Sequence, residues 1–241
     1  MEIKQIHFGD EGQVATAELL ARFPAFRSRA FAASPALAPG LDRTRRGLET
    51  LAALDRQHGG SGRIALDGTE DLVSAILVDL AQVESVALRN TDTAMTGMTA
   101  DFILGTALWA TRHGIAIETA EPVVNALARR ANATHSKPEL AALFALTEGV
   151  LAHVAGRLAP DLERSNPERP WRLLHVNLAI TAIRTEDPAM IDCAFDALDA
   201  ALPDERAGFY AEALALALAP GIAPAVRERI EARHLKWTAA R

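Results

Sequence analysis

Apolar residues after position 68 recur at intervals of three and four, the spacing that places side chains on one face of an α-helix. The first such segment begins at Thr69 and carries Glu70 and Asp71 in its first turn, where acidic side chains stabilise the positive end of the helix dipole. Its apolar series is Leu72, Val73, Ile76, Leu77, Leu80, Val83 and Leu88. The pattern predicts an amphipathic helix from Thr69 to about Asn90.

Glycine, proline and capping residues divide the rest of the chain into further segments with the same spacing. A second helix is predicted from about Thr93 to His113, with Gly114 as its stop. Six more helices are predicted over about 120–131, over 136–158, from near residues 167, 187 and 204, and after Gly221 to about Trp237. Connections of a few residues force consecutive helices to lie antiparallel, which gives four hairpins.

The hairpins begin near residues 69, 120, 167 and 204, so successive starts are 51, 47 and 37 residues apart. This arrangement resembles tandem helical hairpins of the HEAT or tetratricopeptide kind, although the sequence matches neither consensus. We therefore expect an all-α protein, either an α-solenoid or a compact helical array. Residues 68–241 are predicted to form one continuous domain of about eight helices.

Residues 1–67 show a weaker pattern and are predicted to form a less regular region that packs on this array. The segment at 3–8 (IKQIHF) fits a short strand or an extended arm, whereas Val14–Arg22 and Leu41–His58 have helical spacing. The N-terminal region is thus expected to contain an arm and one or two helices.

The charge distribution changes the picture of this N-terminal region. The chain has a formal net charge of −6, yet eight arginines and three acidic residues between positions 22 and 63 give that segment +5 and leave −11 on the remainder. A largely acidic surface repels nucleic acid, so a nucleic-acid partner is not expected. Twenty-two arginines against three lysines, with abundant alanine, indicate a GC-rich bacterial source.

Arginines alternate with Phe23, Phe26 and Phe31 in this basic segment, a combination that suits the binding of phosphate or carboxylate groups. The candidate partner- or anion-binding residues are Arg22, Arg27, Arg29, Arg43, Arg45 and Arg46. In the alternative interpretation, the phenylalanines cover the first hairpin while the arginines are solvated or pair with acidic residues of the chain itself. The acidic remainder favours another protein, itself possibly acidic, as the partner of a free basic patch.

Other short motifs give little support for catalysis. Residues 60–65 fit a relaxed dinucleotide-binding pattern but lack the strand–helix–strand context that the pattern requires. The spacing of Glu231 and His234 suits two metal ligands on one helical face, but the second pair that such sites need is missing. The single cysteine, Cys193, excludes an internal disulfide and is expected to fill a gap in the core. We expect no metal and no cofactor.

A second candidate site lies between helices near His153, Trp171 and His175, within strongly apolar segments. Glu148 and His153 are five residues apart and therefore project about 140° from each other around the helix axis, so they cannot form an acid–base pair on one face. Trp171 is expected to pack under His175 one turn later.

The helix that contains Trp171 has two apolar faces separated by two narrow polar strips, as expected for an interior element of an array. One strip, predicted to be exposed, contains Glu168, Arg172 and His175. The other contains Asn177, Thr181 and Arg184.

These patterns favour a non-catalytic helical module that binds another protein in a bacterial cytoplasm. The alternative is an all-α enzyme or small-ligand-binding protein that uses the pocket near His153, Trp171 and His175. No run of about 18 apolar residues indicates a membrane span, and the first residues do not resemble a secretory signal.

Overall fold

The computed structural model describes residues 15–58, 62–64, 66–158, 170–218 and 222–238. Within these residues all regular structure is helical, and the predicted all-α fold is confirmed. The helices are α1 (Ala15–Ala33), α2 (Ala38–His58), α3 (Thr69–Arg89), α4 (Thr93–His113), α5 (Ala120–Ala133), α6 (Lys137–Leu158), α7 (Pro170–Thr185), α8 (Pro188–Ala201), α9 (Arg206–Ala217) and α10 (Pro224–Thr238). A short 3-10 helix, Pro35–Leu37, precedes α2.

Local capping explains why the helix boundaries after residue 68 agree closely with the predicted ones. The carboxylate of Asp92 accepts a hydrogen bond from the backbone N–H of Met95 at 2.9 Å and so caps α4. Gly114 ends α4 with a φ of 70°, a backbone conformation that residues other than glycine rarely adopt. Asp187 caps α8 by accepting from the backbone N–H groups of two residues of its first turn.

Helix α1 continues to Ala33, whereas the sequence pattern predicts an end at Arg22. Pro24 lies inside the helix, where it removes one backbone hydrogen bond. Burial of the aromatic face offsets this loss: the rings of Phe23 and Phe26 are buried against Phe102 of α4, with centroids 5.7 and 4.4 Å from it. Of the predicted N-terminal arm, residues 1–14 lie outside the described residues.

The first four helices enclose one core: α1 packs against α2 and α4, α2 against α3, and α3 against α4. Helix α4 also contacts α5 and α6, and residues on every side of it are buried. The apolar cluster that begins in α1 therefore extends continuously to α6 and reaches Leu174 of α7. The N-terminal helices are thus part of the main core.

A second apolar cluster joins α7, α8, α9 and α10 around Phe195 and Tyr210, and includes Phe144 of α6. The two clusters meet along α6 and α7, which pack extensively against each other. Helix α9 packs mainly against α10 at the end of the array. The helices thus pack largely in sequence order.

Cys193 is exposed on α8, so the prediction that it fills a core gap is wrong. The buried positions of α8 are Ile191, Ala194, Phe195 and Leu198 at helical spacing, which turns Cys193 away from the core. Its thiol donates a hydrogen bond to the carboxylate of Glu148 on α6 at 3.2 Å, and this bond, with partial burial, raises the pKa of the thiol.

None of the helices in the described part of the chain combines the length and the apolar character needed to cross a membrane.

Two glycines of α4 provide a test of the close contact between α1 and α4. A Cβ atom added at Gly105 would lie 2.6 Å from Cδ1 of Leu19, which is completely buried, whereas one added at the exposed Gly97 would meet nothing within 4 Å. We expect Gly105→Ala to lower the free energy of unfolding by about 1–3 kcal/mol through overpacking. The matched Gly97→Ala change should raise it by about 0.5–1 kcal/mol because alanine favours a helix. Urea denaturation measures the free energy of unfolding of both variants. A stabilising effect of Gly105→Ala would contradict the close packing of α1 against α4.

Candidate functional site

Five of the six candidate arginines are engaged with carboxylates of the same chain. The pairs are Arg22 with Asp101, Arg27 with Asp42, Arg29 with Asp92, Arg43 with Asp79, and Arg45 with Glu49. Within the described residues, Arg46 has no such partner and is exposed. The alternative interpretation of the basic segment, internal pairing, therefore accounts for most of it.

Two of these arginines reach buried carboxylates and tie helices together. Arg22 of α1 lies 2.9 Å from Asp101 of α4, and Arg130 of α5 lies 3.1 Å from the other oxygen of the same carboxylate. Burial raises the pKa of Asp101, although the two guanidinium groups act against it. Arg43 of α2 binds both oxygens of Asp79 on α3, at 3.1 and 2.5 Å. Both arrangements are structural.

We expect Arg43→Gln to lower the melting temperature, because it leaves the buried carboxylate of Asp79 without its cation. Arg46→Gln is the matched control, since it removes an exposed arginine from the same helix and should leave the melting temperature unchanged. Thermal unfolding followed by circular dichroism compares the two variants. Equal melting temperatures for both would show that the Arg43–Asp79 pair has no structural role.

The second candidate site does not form a group exposed to a cavity. His153 hydrogen-bonds through Nδ1 to the carbonyl oxygen of Gly149 in its own helix, at 2.7 Å. Trp171 packs against His175 as predicted, with ring centroids 4.5 Å apart. None of the cavities described below is lined by His153, Trp171 or His175.

The expectation of an exposed strip containing His175 is wrong, because only 6% of this residue is exposed. Within the described residues neither ring nitrogen has a hydrogen-bond partner, and burial lowers the pKa of His175 to about 4. Helix α7 packs against α5, α6 and α8, and the pattern of a single helix does not show which of its faces these contacts cover. Of the same strip, Arg172 pairs with Glu205, and Glu168 lies outside the described residues.

A cluster around Asp55 was not predicted from the sequence. Its carboxylate accepts hydrogen bonds from the hydroxyl of Thr16 at 2.6 Å, the indole of Trp109 at 2.8 Å and the guanidinium of Arg112 at 2.9 Å, and it lies 2.8 Å from Nε2 of His113. Burial favours a higher pKa for Asp55, but the bonds from Thr16 and His113 and the charge of Arg112 outweigh it and hold the pKa below its usual range.

This cluster is a cross-link and not an accessible acid–base pair. His113 is completely buried, and its Nδ1 lies 2.8 Å from the carbonyl oxygen of Gly62. Asp199 plays a similar part in the second core, where it accepts from Arg233, Trp237 and Tyr210. Asp55 lies 39 to 58 residues from its partners and Asp199 lies 11 to 38 residues from its partners, so no local pattern connects either aspartate to them.

An apolar groove between α7, α9 and α10 is a further candidate surface. It has a volume of about 280 Å³. The side chains that line it are mostly apolar: Val176, Ile180, Ile183, Phe209, Ala213, Leu216, Ala217, Ile222 and Ile230, with Arg184 and Glu212. Ile180 is 41% exposed and Leu216 is 74% exposed, large values for such side chains. One of the two predicted apolar faces of α7 therefore faces this groove.

The groove continues into a cavity of about 250 Å³ beside the start of α6, with which it shares Ile183, Arg184 and Ile222. This end contains His135, Lys137, Arg184 and Glu186. Arg184 is held by the carbonyl oxygens of Ala131 and Thr134, and Lys137 lies 2.5 Å from Glu186. The formal charge of this end is positive, whereas the α9 side carries Glu212.

Comparison with known protein families, with curated protein sequences and with solved structures finds no match for this chain.

Within the described residues, no three His, Cys, Asp or Glu side chains converge in a way that could hold a metal ion.

The unpartnered His175 predicts a pH-dependent stability. An unfolded chain protonates this histidine near its ordinary pKa of about 6.5, but the folded chain resists protonation to about pH 4. The unfolded state thus binds more protons in this window, so stability is lost as the pH falls from about 6.5 to 4, by about 3 kcal/mol in total. We expect His175→Leu to remove this part of the pH dependence and to leave stability at pH 7 equal or higher.

Chemical denaturation at several pH values measures the difference between the wild-type chain and the variant. Carboxylates that titrate in the same range affect both proteins equally and cancel in that difference. An unchanged difference between pH 7 and pH 4 would contradict a neutral, buried His175.

Proposed function

We propose that this protein is a non-catalytic helical module that binds an amphipathic helix of another protein in the groove between α7, α9 and α10. The observation that carries the proposal is the exposure of large apolar side chains along a concave surface, of which Leu216 is the clearest case. An open apolar groove suits the binding of a protein segment, because it provides an extended contact surface, whereas an active site is usually an enclosed pocket.

The dimensions of the groove support a helical occupant. Val176, Ile180 and Arg184 mark its wall on α7 and span nine residues, a rise of about 12 Å. Phe209, Ala213 and Leu216 line it from α9 at the same kind of spacing. A bound helix with apolar residues at positions i, i+4 and i+7 presents a stripe of similar length.

The charges at the end of the groove near α6 indicate the chemistry of the bound helix. The end near α6 carries His135, Lys137 and Arg184 against Glu186, so it attracts carboxylates and the negative C-terminal end of a helix dipole. The occupant is therefore an amphipathic helix with acidic residues towards its C-terminus.

A photo-cross-linking amino acid at position 216 tests the proposal in extract of the source organism. The same amino acid at position 88, where Leu88 is 49% exposed on α3 away from the groove, is the matched control. We expect a cross-link specific to position 216 that maps to an amphipathic, acidic helix of one protein.

A synthetic peptide of that helix should bind the purified chain, and Leu216→Glu should weaken the binding at least about tenfold, or by about 1.4 kcal/mol. Leu88→Glu should leave it unchanged, and neither substitution should alter the melting temperature. Identical cross-links from positions 216 and 88, or a cross-link to a segment without an apolar helical face, would overturn the proposal.

A further inference from the structure

A second cavity lies at the other end of the array, between α1 and α2, and has a volume of about 590 Å³. Its apolar lining comes from α1 and consists of Leu20, Phe23, Pro24 and Phe31, the last of which is 44% exposed. Its volume falls within the range of about 300–1,000 Å³ that is typical of small-molecule sites.

The charged lining comes mostly from one face of α2. Asp42, Arg45 and Glu49 follow each other at intervals of three and four residues, and Arg27 faces them from α1. The wall therefore alternates in sign along α2, with a guanidinium between two carboxylates. A ligand that carries a single charge would meet repulsion as well as attraction at such a wall.

These groups are only partly satisfied within the described residues. Arg45 donates Nε to Oε1 of Glu49 at 3.0 Å, which leaves both terminal nitrogens of its guanidinium for another acceptor. Arg27 donates from Nε and Nη2 to Oδ1 of Asp42, at 3.2 and 3.0 Å, which leaves Oδ2 of Asp42 as an acceptor. Exposed ion pairs of this kind contribute little stability, so a ligand can join them at small cost.

Pro24 deprives one carbonyl oxygen of its usual α-helical donor. Because proline has no N–H, the α-helical hydrogen bond from residue 24 to the carbonyl oxygen of Leu20 cannot form, and both residues line this cavity. The wall thus combines donors for an anion, acceptors for a cation and an apolar floor.

We propose that the cavity between α1 and α2 binds a zwitterionic small molecule of the amino-acid class with an apolar side chain. The free donors of Arg45 bind its carboxylate, while Asp42 and the Leu20 carbonyl oxygen accept from its ammonium group. The side chain of the ligand lies on Leu20, Phe23 and Phe31. This site is distinct from the groove at the opposite end of the array and does not depend on it.

Three probes that share one apolar body separate the contributions of the two charges. They are L-phenylalanine, 3-phenylpropionate, which lacks the ammonium group, and 2-phenylethylamine, which lacks the carboxylate. Titration of the full chain, followed by NMR, should show that L-phenylalanine binds with a Kd of about 1 mM or tighter and at least about tenfold better than either analogue.

Arg45→Gln should weaken the binding of L-phenylalanine about tenfold and leave that of 2-phenylethylamine unchanged. Asp42→Asn should also weaken the binding of L-phenylalanine about tenfold but leave that of 3-phenylpropionate unchanged. Arg46→Gln, on the same helix but outside the cavity, is the matched control and should change neither. Melting temperatures confirm that each variant is folded.

Two results would overturn the proposal. One is the absence of saturable binding of L-phenylalanine at about 10 mM to a folded chain. The other is equal weakening by Arg45→Gln and Arg46→Gln, which would indicate general attraction to positive charge and not a site.

Discussion

The enclosure of α4 is the constraint on which the rest of the structure depends. Helices α1, α3, α5 and α6 surround it, so a buried ionisable side chain on α4 needs a partner from outside this helix and not from water. Asp101 does so through Arg22 and Arg130, and His113 through Asp55. These contacts fix which helices lie next to α4 and how they are aligned along it, whereas apolar packing alone tolerates sliding.

The helices could be predicted because their signals are local. Thr69, Gly114 and Asp187 act within one turn, and apolar spacing defines each buried face. The arginines of the basic segment could not be assigned in this way. Arg22 and its partner Asp101 are 79 residues apart, and nothing in either segment indicates that they meet. The sequence places His175 on a polar strip, whereas the folded chain buries it, because burial depends on contacts between helices.

The two proposed binding surfaces lie at opposite ends of the array and have different character. The N-terminal cavity combines charges of both signs with aromatic rings, while the C-terminal groove is apolar along most of its length. The buried polar clusters contribute no side chain to either binding surface. Asp55 links helices near the N-terminal cavity, and Asp199 links helices near the C-terminal groove, so both clusters support the shape of these surfaces. The buried polar groups thus support the surfaces without taking part in binding.

The convergence of several donors on one carboxylate restricts how this chain can change over evolutionary time. Replacement of an apolar core residue can be compensated by one neighbour of complementary volume. Loss of Asp199 leaves Arg233, Trp237 and Tyr210 without their shared acceptor, and no single second change restores all three. We therefore expect a folded variant of this protein to retain the aspartate, the tryptophan and the arginine together on the facing helices.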